Sequence, residues 1–317
     1  MVKPVKRLTE NKIVLVVRPS RIDELIRRYN TVEQAAFCVR QSGADFDDYI
    51  EEDRTYKTAV AATESLLSML GRLQTVDRSF LPNFIFGKDD TVVALGQDGL
   101  AANTLKYLST QPLLGVNPDP ARYDGVLLPF EVRDLAEAVA TVFAGRARLQ
   151  IVRMGEVRLS DGRRLLAVND FFVGMRTHVS ARYEICHGEH RERQSSSGII
   201  VSTGLGATGW LKSVLAGAAG IARAMGKTAS FPDDYCRTTP DASHLYFSVR
   251  EPFPSRVTGT DIVFGKIEQK TPLVVTSAMA ENGVIFSDGM EDDFLAFNSG
   301  TVATIGLAET VGQLVQP

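Results

Sequence analysis

The stretch Thr91–Leu95, with the sequence TVVAL, runs directly into Gly96-Gln97-Asp98-Gly99-Leu100, and this junction decides the fold. An uninterrupted run of β-branched and apolar residues is typical of a strand buried on both faces of a parallel sheet. The glycines that follow let the backbone turn tightly, and Leu100–Leu108 has helical spacing. We therefore predict a strand, a tight turn and a helix whose N-terminus offers free N–H groups to an anion.

The same alternation of strands and helices extends over the first half of the chain. Lys12–Val17 and Pro112–Val116 are the other short apolar runs that we expect to be strands. Further segments with helical spacing are Arg21–Arg28, Thr31–Gln41, Thr55–Arg72 and Val132–Phe143. This alternation predicts an α/β domain over residues 1–146, with a Rossmann-like parallel sheet and right-handed crossovers.

The sequence changes character near residue 147. Short runs rich in Val, Ile, Phe and Tyr follow, separated by turn residues such as Asp161-Gly162. The predicted strands are Arg148–Val157, Arg164–Val168, Ser180–Cys186, Gly198–Ser202, His244–Val249, Asp261–Phe264 and Leu273–Ser277. With one helical insertion at Leu211–Met225, this pattern predicts an all-β, sandwich-like domain over residues 147–280.

Length and composition set limits on the class of protein. At about 150 residues per domain, 317 residues predict two domains. The formal net charge of −3 argues against general binding of nucleic acid, which requires a strongly basic face. No apolar stretch reaches the ~18 residues of a membrane span, and the N-terminus does not have the pattern of a secretory signal. We therefore expect neither nucleic acid nor membrane as a partner.

The cysteines and two polar clusters bear on location and metal binding. Cys38, Cys186 and Cys236 are widely spaced and odd in number, which predicts no disulfide framework and a reduced, cytoplasmic location. Cys186, His187 and His190 do not match the spacing of a structural zinc site, so an exposed hairpin tip is the favoured interpretation. For Glu291-Asp292-Asp293, a solvated turn is favoured over a Mg²⁺ site.

Asp98 is the first candidate for chemistry. It follows a predicted parallel strand, and α/β sheets bind their ligands at the carboxyl ends of such strands. A carboxylate at this position can act as a general base or as the partner of a metal ion. The alternative is a structural role, in which Asp98 caps the helix that it begins.

The second candidate is the loop after the predicted strand Gly198–Ser202. It reads Thr203-Gly204-Leu205-Gly206-Ala207-Thr208-Gly209-Trp210 and precedes the predicted helix. Backbone N–H groups and hydroxyls in such a loop can bind a polar ligand. A flexible connector is the alternative.

These motifs, together with three others, follow one another in a fixed order along residues 87–310. They are Gly96-Gln97-Asp98-Gly99, Leu114-Gly115-Val116-Asn117, Val168-Asn169-Asp170, Gly198–Trp210 and Ser287-Asp288-Gly289. In this order they resemble the motifs of the NAD kinases, a family of the kinase class that carries a Gly-Gly-Asp-Gly motif. Two segments, Gly115-Val116-Asn117-Pro118-Asp119-Pro120 and Ser196-Ser197-Gly198, resemble the mitochondrial branch of that family more than the common bacterial one.

The resemblance implies a fold and an activity. The expected fold is the α/β domain and the β-sandwich-like domain described above, with residues 281–317 returning to the first domain. The expected reaction transfers phosphate from ATP to the 2′-hydroxyl of the adenosine ribose of NAD, which gives NADP, with Mg²⁺ as cofactor. NAD and ATP are the expected ligands, and the family assembles as dimers or tetramers.

The resemblance also implies roles for individual residues. Asp98 matches the catalytic aspartate. The implied nucleotide-binding residues are Gly96, Gln97, Gly99, Asn117, Asn169, Asp170, Ser197, Thr203, Gly206, Thr208, Trp210 and Asp288.

Some residues depart from the family pattern and leave alternatives open. Gln97 replaces the second glycine of the Gly-Gly-Asp-Gly motif, and Leu100 replaces a threonine. If residue 97 required a positive φ, glutamine would cost about 1 kcal/mol there. One alternative is a non-catalytic homologue that binds NAD or another nucleotide. The other is a kinase of the same fold that acts on a different hydroxyl acceptor, such as a nucleoside, a sugar or a lipid.

Overall fold

The computed structural model describes residues 9–227, 238–290 and 293–317. Two compact units are present: the first runs to Gln150 and includes Gln313–Pro317, and the second is Ile151–Gly312. The domain limits 1–146, 147–280 and 281–317 stay a prediction. Cys236 and the acidic pair Glu291-Asp292 lie outside the described residues.

The first unit is an α/β sandwich around a parallel sheet. Its strands are β1 (Lys12–Val17), β2 (Arg72–Asp77), β3 (Thr91–Leu95), β4 (Pro112–Asn117) and β5 (Phe130–Glu131). Its helices are α1 (Arg21–Tyr29), α2 (Val32–Gln41), α3 (Phe46–Leu70), α4 (Asp98–Leu105) and α5 (Leu135–Phe143). The strand order is β2-β1-β3-β4, all parallel, with β5 on β4. Gln313 and Leu314 also pair with the start of β4 in parallel.

Several elements of this unit differ from the sequence prediction: β5 was not predicted, α4 runs over Asp98–Leu105 and not Leu100–Leu108, and the largest differences are at α3 and β2. Helix α3 begins at Phe46, well before the predicted Thr55, because the Asp45 side chain accepts a hydrogen bond from the N–H of Asp47 and caps it. Strand β2 was not predicted, and it pairs with β1 along its whole length. Only Val76 of β2 is buried, so the strand lacks the apolar run that marks a central strand.

The second unit is built from antiparallel sheets. Its strands are β6 (Arg148–Leu159), β7 (Arg164–Ala167), β8 (Asp170–Met175), β9 (Ala181–His187), β10 (His190–Ser196), β11 (Ile199–Ser202), β12 (Leu245–Val249), β13 (Phe264–Ile267), β14 (Leu273–Ser277), β15 (Gly283–Ser287), β16 (Phe294–Ala296) and β17 (Val302–Gln316). Helix α6 (Trp210–Ala224) is the predicted insertion.

One sheet of the second unit has the order β10-β9-β14-β17, with β6 on β17 and β7 on β6. The other has the order β13-β12-β11-β8-β15-β16. Apolar side chains of both sheets form one buried cluster, which includes Phe171, Tyr183, Phe247 and Phe297. An α/β unit with a parallel sheet and a β-sandwich unit confirm the predicted fold class.

Several β elements of the second unit escaped the sequence analysis. Strand β10, with the sequence HRERQSS, carries few apolar residues, and β8 follows Asn169 without a turn signal. The predicted strand Asp261–Phe264 lies a few residues later, as β13.

His187 and His190 face each other at the tip of the β9–β10 hairpin. In residues 9–227, 238–290 and 293–317, no group of three or more His, Cys, Asp or Glu side chains is arranged to hold a metal ion.

No helix in the described ranges is long and apolar enough to cross a membrane.

A close backbone approach at Gly115 of β4 shapes the first unit. A Cβ added at Gly115 would lie 1.8 Å from the carbonyl oxygen of Leu127, well inside contact distance. The backbone of residues 127–128 therefore packs directly on the strand, and any side chain at 115 would push it away.

We expect Gly115→Ala to lower the free energy of unfolding by roughly 2–4 kcal/mol, because the backbone of residue 127 must move. Gly217→Ala is the control: Gly217 lies in α6 with no atom near its Cβ position, so alanine should raise stability by up to about 1 kcal/mol. Urea unfolding followed by circular dichroism measures both. A Gly115→Ala protein as stable as the parent would contradict the close approach.

Candidate functional site

The turn after β3 has ordinary backbone geometry. Gln97 is extended, with φ −107° and ψ 163°, and stands at the N-cap of α4 without a side-chain hydrogen bond to it. Glutamine at this position therefore carries no backbone strain. Gly96 is buried, and a Cβ there would lie 2.8 Å from Cδ2 of Leu100. Gly99 is exposed, with nothing within 4 Å of its Cβ position.

Free backbone donors gather at this turn. Gly96 donates to the carbonyl of Val116, and Leu100 donates to the carbonyl of Gln97. Between them, the N–H groups of residues 97, 98 and 99 have no acceptor within the described part of the chain. Three consecutive free donors at a helix N-terminus are able to bind an anion.

The carboxylate of Asp98 is held in place by a neighbouring loop. Its Oδ1 accepts a hydrogen bond of 2.7 Å from the N–H of Leu127. Leu127 belongs to the backbone segment that packs directly on β4 at Gly115. The other oxygen, Oδ2, has no donor among the described residues, so it is available to a ligand.

Asn117, at the end of β4, is used by its own loop. Its Nδ2 donates to the carbonyl of Tyr123 at 2.9 Å, and its Oδ1 accepts from the N–H of Asp119 at 3.0 Å. These bonds order the loop beside the turn. A direct contact between Asn117 and a nucleotide stays a prediction.

Arg18 is a feature of this site that sequence reasoning missed. It lies two residues beyond Val16, which pairs with Ala94, so the register places it beside Gly96. Its side chain is 5% exposed, and Nη2 lies 2.7 Å from Oε1 of Glu52 in α3. The sequence signal that could have indicated a buried arginine is the position of Arg18, directly after the apolar strand KIVLVV. Arginine is seldom fully buried unless it is paired, so such a position points to a partner.

Two tyrosines also contact Arg18, and together with Glu52 they form what we call the Arg18 cluster. The Tyr56 hydroxyl accepts from the Arg18 N–H at 2.9 Å and donates to the carbonyl of Leu95 at 3.0 Å, so it links the ends of β1 and β3. Burial raises the pKa of Tyr56 to about 12. Nη2 of Arg18 also donates to the Tyr123 hydroxyl at 3.2 Å.

In the second unit, Asp288 organises the Asn169-Asp170 motif. Its carboxylate accepts hydrogen bonds from the N–H groups of Val168, Asn169 and Asp170, at 3.0, 2.6 and 3.2 Å. In return, its own N–H donates to the carbonyl of Asp170 at 2.9 Å. Asp288 has a positive φ of 54°, which is uncommon for a residue other than glycine. Three predicted residues from distant motifs are thus brought together.

The Gly-rich loop packs on the same motif. Thr203 donates from its N–H to the carbonyl of Asn169 at 2.9 Å, and from its hydroxyl to the carbonyl of Val168 at 2.5 Å. A Cβ added at Gly206 would lie 2.0 Å from the carbonyl oxygen of Asn169, so only glycine fits. Thr203 and Gly206 therefore fix the backbone of Asn169, whereas contacts of these residues with a nucleotide stay a prediction.

Asp170 is in an unusual electrostatic environment. It is partly buried, and its carboxyl group has no hydrogen-bond donor in the described ranges. Burial, and then the negative charge of Asp288, raise the pKa of Asp170 to about 7. Close to neutral pH this side chain can therefore bind or release a proton.

The predicted residue Trp210 lines an aromatic cavity of about 280 Å³ in the second unit. The ring of Trp210 stacks on Phe172, with centroids 5.9 Å apart and an interplanar angle of 10°. Phe172 in turn stacks on Phe286, with centroids 5.0 Å apart. The cavity is lined by Phe172, Met175, Arg176, Trp210, Arg250, Val284, Phe286 and Phe294.

Arginines supply the charge at this aromatic cavity. The Arg250 guanidinium lies 5.6 Å from the Trp210 ring centroid, and its carbonyl accepts from the N–H of Ser197 at 2.9 Å. The Arg176 guanidinium lies 5.2 Å from the Phe294 ring. Neither arginine forms an ion pair with any described residue. Thr208 is exposed, and its hydroxyl makes only a long bond of 3.4 Å to the carbonyl of Leu205.

Comparison with known proteins supports the fold. No family model matches the sequence, and no curated protein is similar to it at a significant level. Among solved structures, the chain is similar to yeast NADH kinase complexed with NADH, with a TM-score of 0.58, 14% identity, and coverage of 98% of this chain and 84% of that one. It is also similar to an NAD kinase from Archaeoglobus fulgidus in complex with ATP, with a TM-score of 0.54, 16% identity, and coverage of 96% and 93%. The protein therefore has the fold of the NAD and NADH kinases.

The raised pKa of Asp170 makes stability depend on pH in a defined direction. The unfolded carboxyl has a pKa near 3.8 and the folded one about 7. As the pH rises from about 4 to 7, only the unfolded chain releases the proton, so the folded state loses stability over this window. Asp170→Asn should therefore melt at least about 3 °C above the parent at pH 8, and the difference should shrink toward pH 4.

Thermal melts of both proteins between pH 4 and pH 8 measure this effect. Asp161→Asn is the control, because Asp161 is exposed and its pKa is lowered by Arg163. Its effect on melting should not change between pH 5 and pH 8. A constant difference between Asp170→Asn and the parent across this range would contradict the raised pKa.

Proposed function

We propose that the protein is an NAD kinase-like phosphotransferase, which transfers phosphate from ATP to the 2′-hydroxyl of the adenosine ribose of NAD and gives NADP. The observation that carries this proposal is the turn at residues 96–99. At the carboxyl edge of a parallel sheet it combines three free N–H donors with the oriented carboxylate of Asp98. The fold shared with NAD and NADH kinases supports the same activity.

The proposed roles follow from the chemistry of phosphoryl transfer, which depends mainly on positioning and on neutralising charge. The N–H groups of residues 97–99 bind the donor phosphates. Asp98 accepts the proton of the 2′-hydroxyl, whose oxygen forms a bond to the γ-phosphorus while the bond to the bridging oxygen of ADP breaks. The free Oδ2 of Asp98 also fits Mg²⁺, which proteins hold with one or two carboxylates plus substrate phosphates. When bound, Mg²⁺ would neutralise charge on those phosphates.

We assign recognition of the dinucleotide to the second unit. The polar side chains of Asn169 and Asp170 suit ribose hydroxyls. The Trp210 ring offers a stacking surface for a base, and Arg176 and Arg250 suit the diphosphate. Ser197 and Thr208 are assigned to the same ligand by the order of the motifs. We further propose a cytoplasmic homo-oligomer, a dimer or tetramer, closest to the mitochondrial-type branch of the family.

Incubation with ATP, Mg²⁺ and NAD, followed by enzymatic detection of NADP, tests the activity. Asp98→Asn should lower kcat by at least about 100-fold, because asparagine still accepts from the Leu127 N–H but cannot accept the proton. Asp45→Asn is the control: Asp45 caps α3, and asparagine caps a helix equally well. Its rate should equal that of the parent.

Other outcomes of this assay separate the alternatives. A protein that NAD stabilises thermally but that forms no NADP would be the non-catalytic homologue. ATP consumption with a nucleoside, a sugar or a lipid, and none with NAD, would indicate a kinase of different specificity. NADP formation that survives in Asp98→Asn would exclude Asp98 as the base.

A substitution at Gly99 tests where the phosphates of ATP bind. It lies in the first turn of α4 with open space at its Cβ position and no positive φ, so the fold itself tolerates a side chain there. Gly99→Ala should therefore keep the melting temperature of the parent but raise the KM for ATP by about tenfold, because a methyl group occupies the space beside the free N–H groups. An unchanged KM for ATP would place the phosphates elsewhere.

A further inference from the structure

The Arg18 guanidinium has one donor without a partner. Nη1 donates to the carbonyl of Pro19, and Nη2 donates to Glu52 and Tyr123. Nε is buried and has no hydrogen-bond partner, although the residue is only 7% exposed. A buried donor without an acceptor is rare in folded proteins, because burial removes its hydrogen bond to water and no protein acceptor replaces it.

This free donor lies at the turn. Nε is 3.7 Å from the position that a Cβ on Gly96 would occupy, and Gly96 directly precedes the three free N–H groups. Cδ2 of Leu100 lies 2.8 Å from the same position.

The rest of the cluster keeps the guanidinium in place. Glu52 is 2% exposed at its side chain, and its Oε2 also accepts from the N–H of Arg21 at 3.2 Å. Nε of Arg21 lies 4.0 Å from the same oxygen, while Nη2 of Arg21 pairs with Oδ2 of Asp48 at 2.7 Å. The Arg18 guanidinium also lies 4.8 Å from the Tyr56 ring centroid, which restricts its rotation.

We propose that Arg18 is an anion-binding residue of this turn, whose Nε–H donates to a phosphoryl oxygen of the donor nucleotide. The proposal rests on the function proposed above for the turn. The anion supplies the acceptor that the buried Nε–H lacks, and the N–H groups of residues 97–99 bind the same polyphosphate. Glu52, Tyr56 and Tyr123 are positioning residues, since each contacts Arg18 and holds its guanidinium in place.

Calorimetric titration with tripolyphosphate in the presence of Mg²⁺ tests the proposal without requiring catalysis. Arg18→Lys keeps the charge beside Glu52 but lacks the Nε–H at this position. Its Kd for tripolyphosphate should rise about tenfold or more. Arg21→Lys is the matched control, because it alters a cation on the same carboxylate that has no free donor at Gly96, and its Kd should equal that of the parent. Equal affinity of the parent and Arg18→Lys would overturn the proposal.

A second measurement follows binding in the parent protein and uses a variant only to assign one signal. In protein labelled with ¹⁵N-arginine, the Arg18 Nε–H signal, identified by its loss in Arg18→Lys, should move downfield when tripolyphosphate is added. If signals of residues 97–99 move and the Arg18 signal does not, Arg18 is not a ligand of the anion.

The outcomes separate the two proposals. Tripolyphosphate binding that depends on Arg18, without NADP formation, would support the role of Arg18 and reject the NAD kinase function. NADP formation with an unchanged KM for ATP in Arg18→Lys would support the NAD kinase function and reject the role of Arg18.

Discussion

The hydrogen bond from the Leu127 N–H to Asp98 is the interaction on which the arrangement of the first unit depends. It forms only because residue 115 has no side chain, so that the backbone of residues 127–128 can lie directly on β4. Asn117 holds the intervening loop through its bonds to Asp119 and Tyr123. The motif Leu114-Gly115-Val116-Asn117 therefore acts on Asp98 from a distance, by deciding where one backbone N–H group lies.

In the second unit, too, hydrogen bonds from backbone N–H groups to an aspartate carboxylate connect distant motifs. Here the carboxylate of Asp288 is the fixed element, and the backbone of residues 168–170 is what it positions. Gly206 permits the close approach, as Gly115 does in the first unit. In both units, a residue of one motif positions the backbone or side chain of another motif through hydrogen bonds and close packing. This explains why residues of a site can be spread over distant parts of a sequence and still behave as a set.

The sequence allowed the central strands to be predicted better than the edge strands and the buried charges, and the roles of the site residues stay predictions. Strands β1 and β3 have continuous apolar runs, and both were predicted at their observed limits. Strands β2 and β10 lie at or near sheet edges with polar side chains, so no periodic pattern marks them. The Arg18–Glu52 pair joins residues 34 positions apart, and nothing in either local sequence indicates the partner. The raised pKa of Asp170 likewise depends on Asp288, which lies 118 residues away.

The pairing of Gln313 and Leu314 with β4 has a consequence for the order in which the protein is made. The first unit runs to Gln150, yet its sheet contains residues that the ribosome adds only after the whole of Ile151–Gly312. Until then, part of β4 presents unpaired backbone groups, which are a template for pairing with other chains. Domains near the N-terminus generally fold first during synthesis. In this protein the edge of β4 at Pro112 and Leu113 therefore stays unpaired while the β-sandwich is translated, and it is covered only when Gln313 and Leu314 have been added.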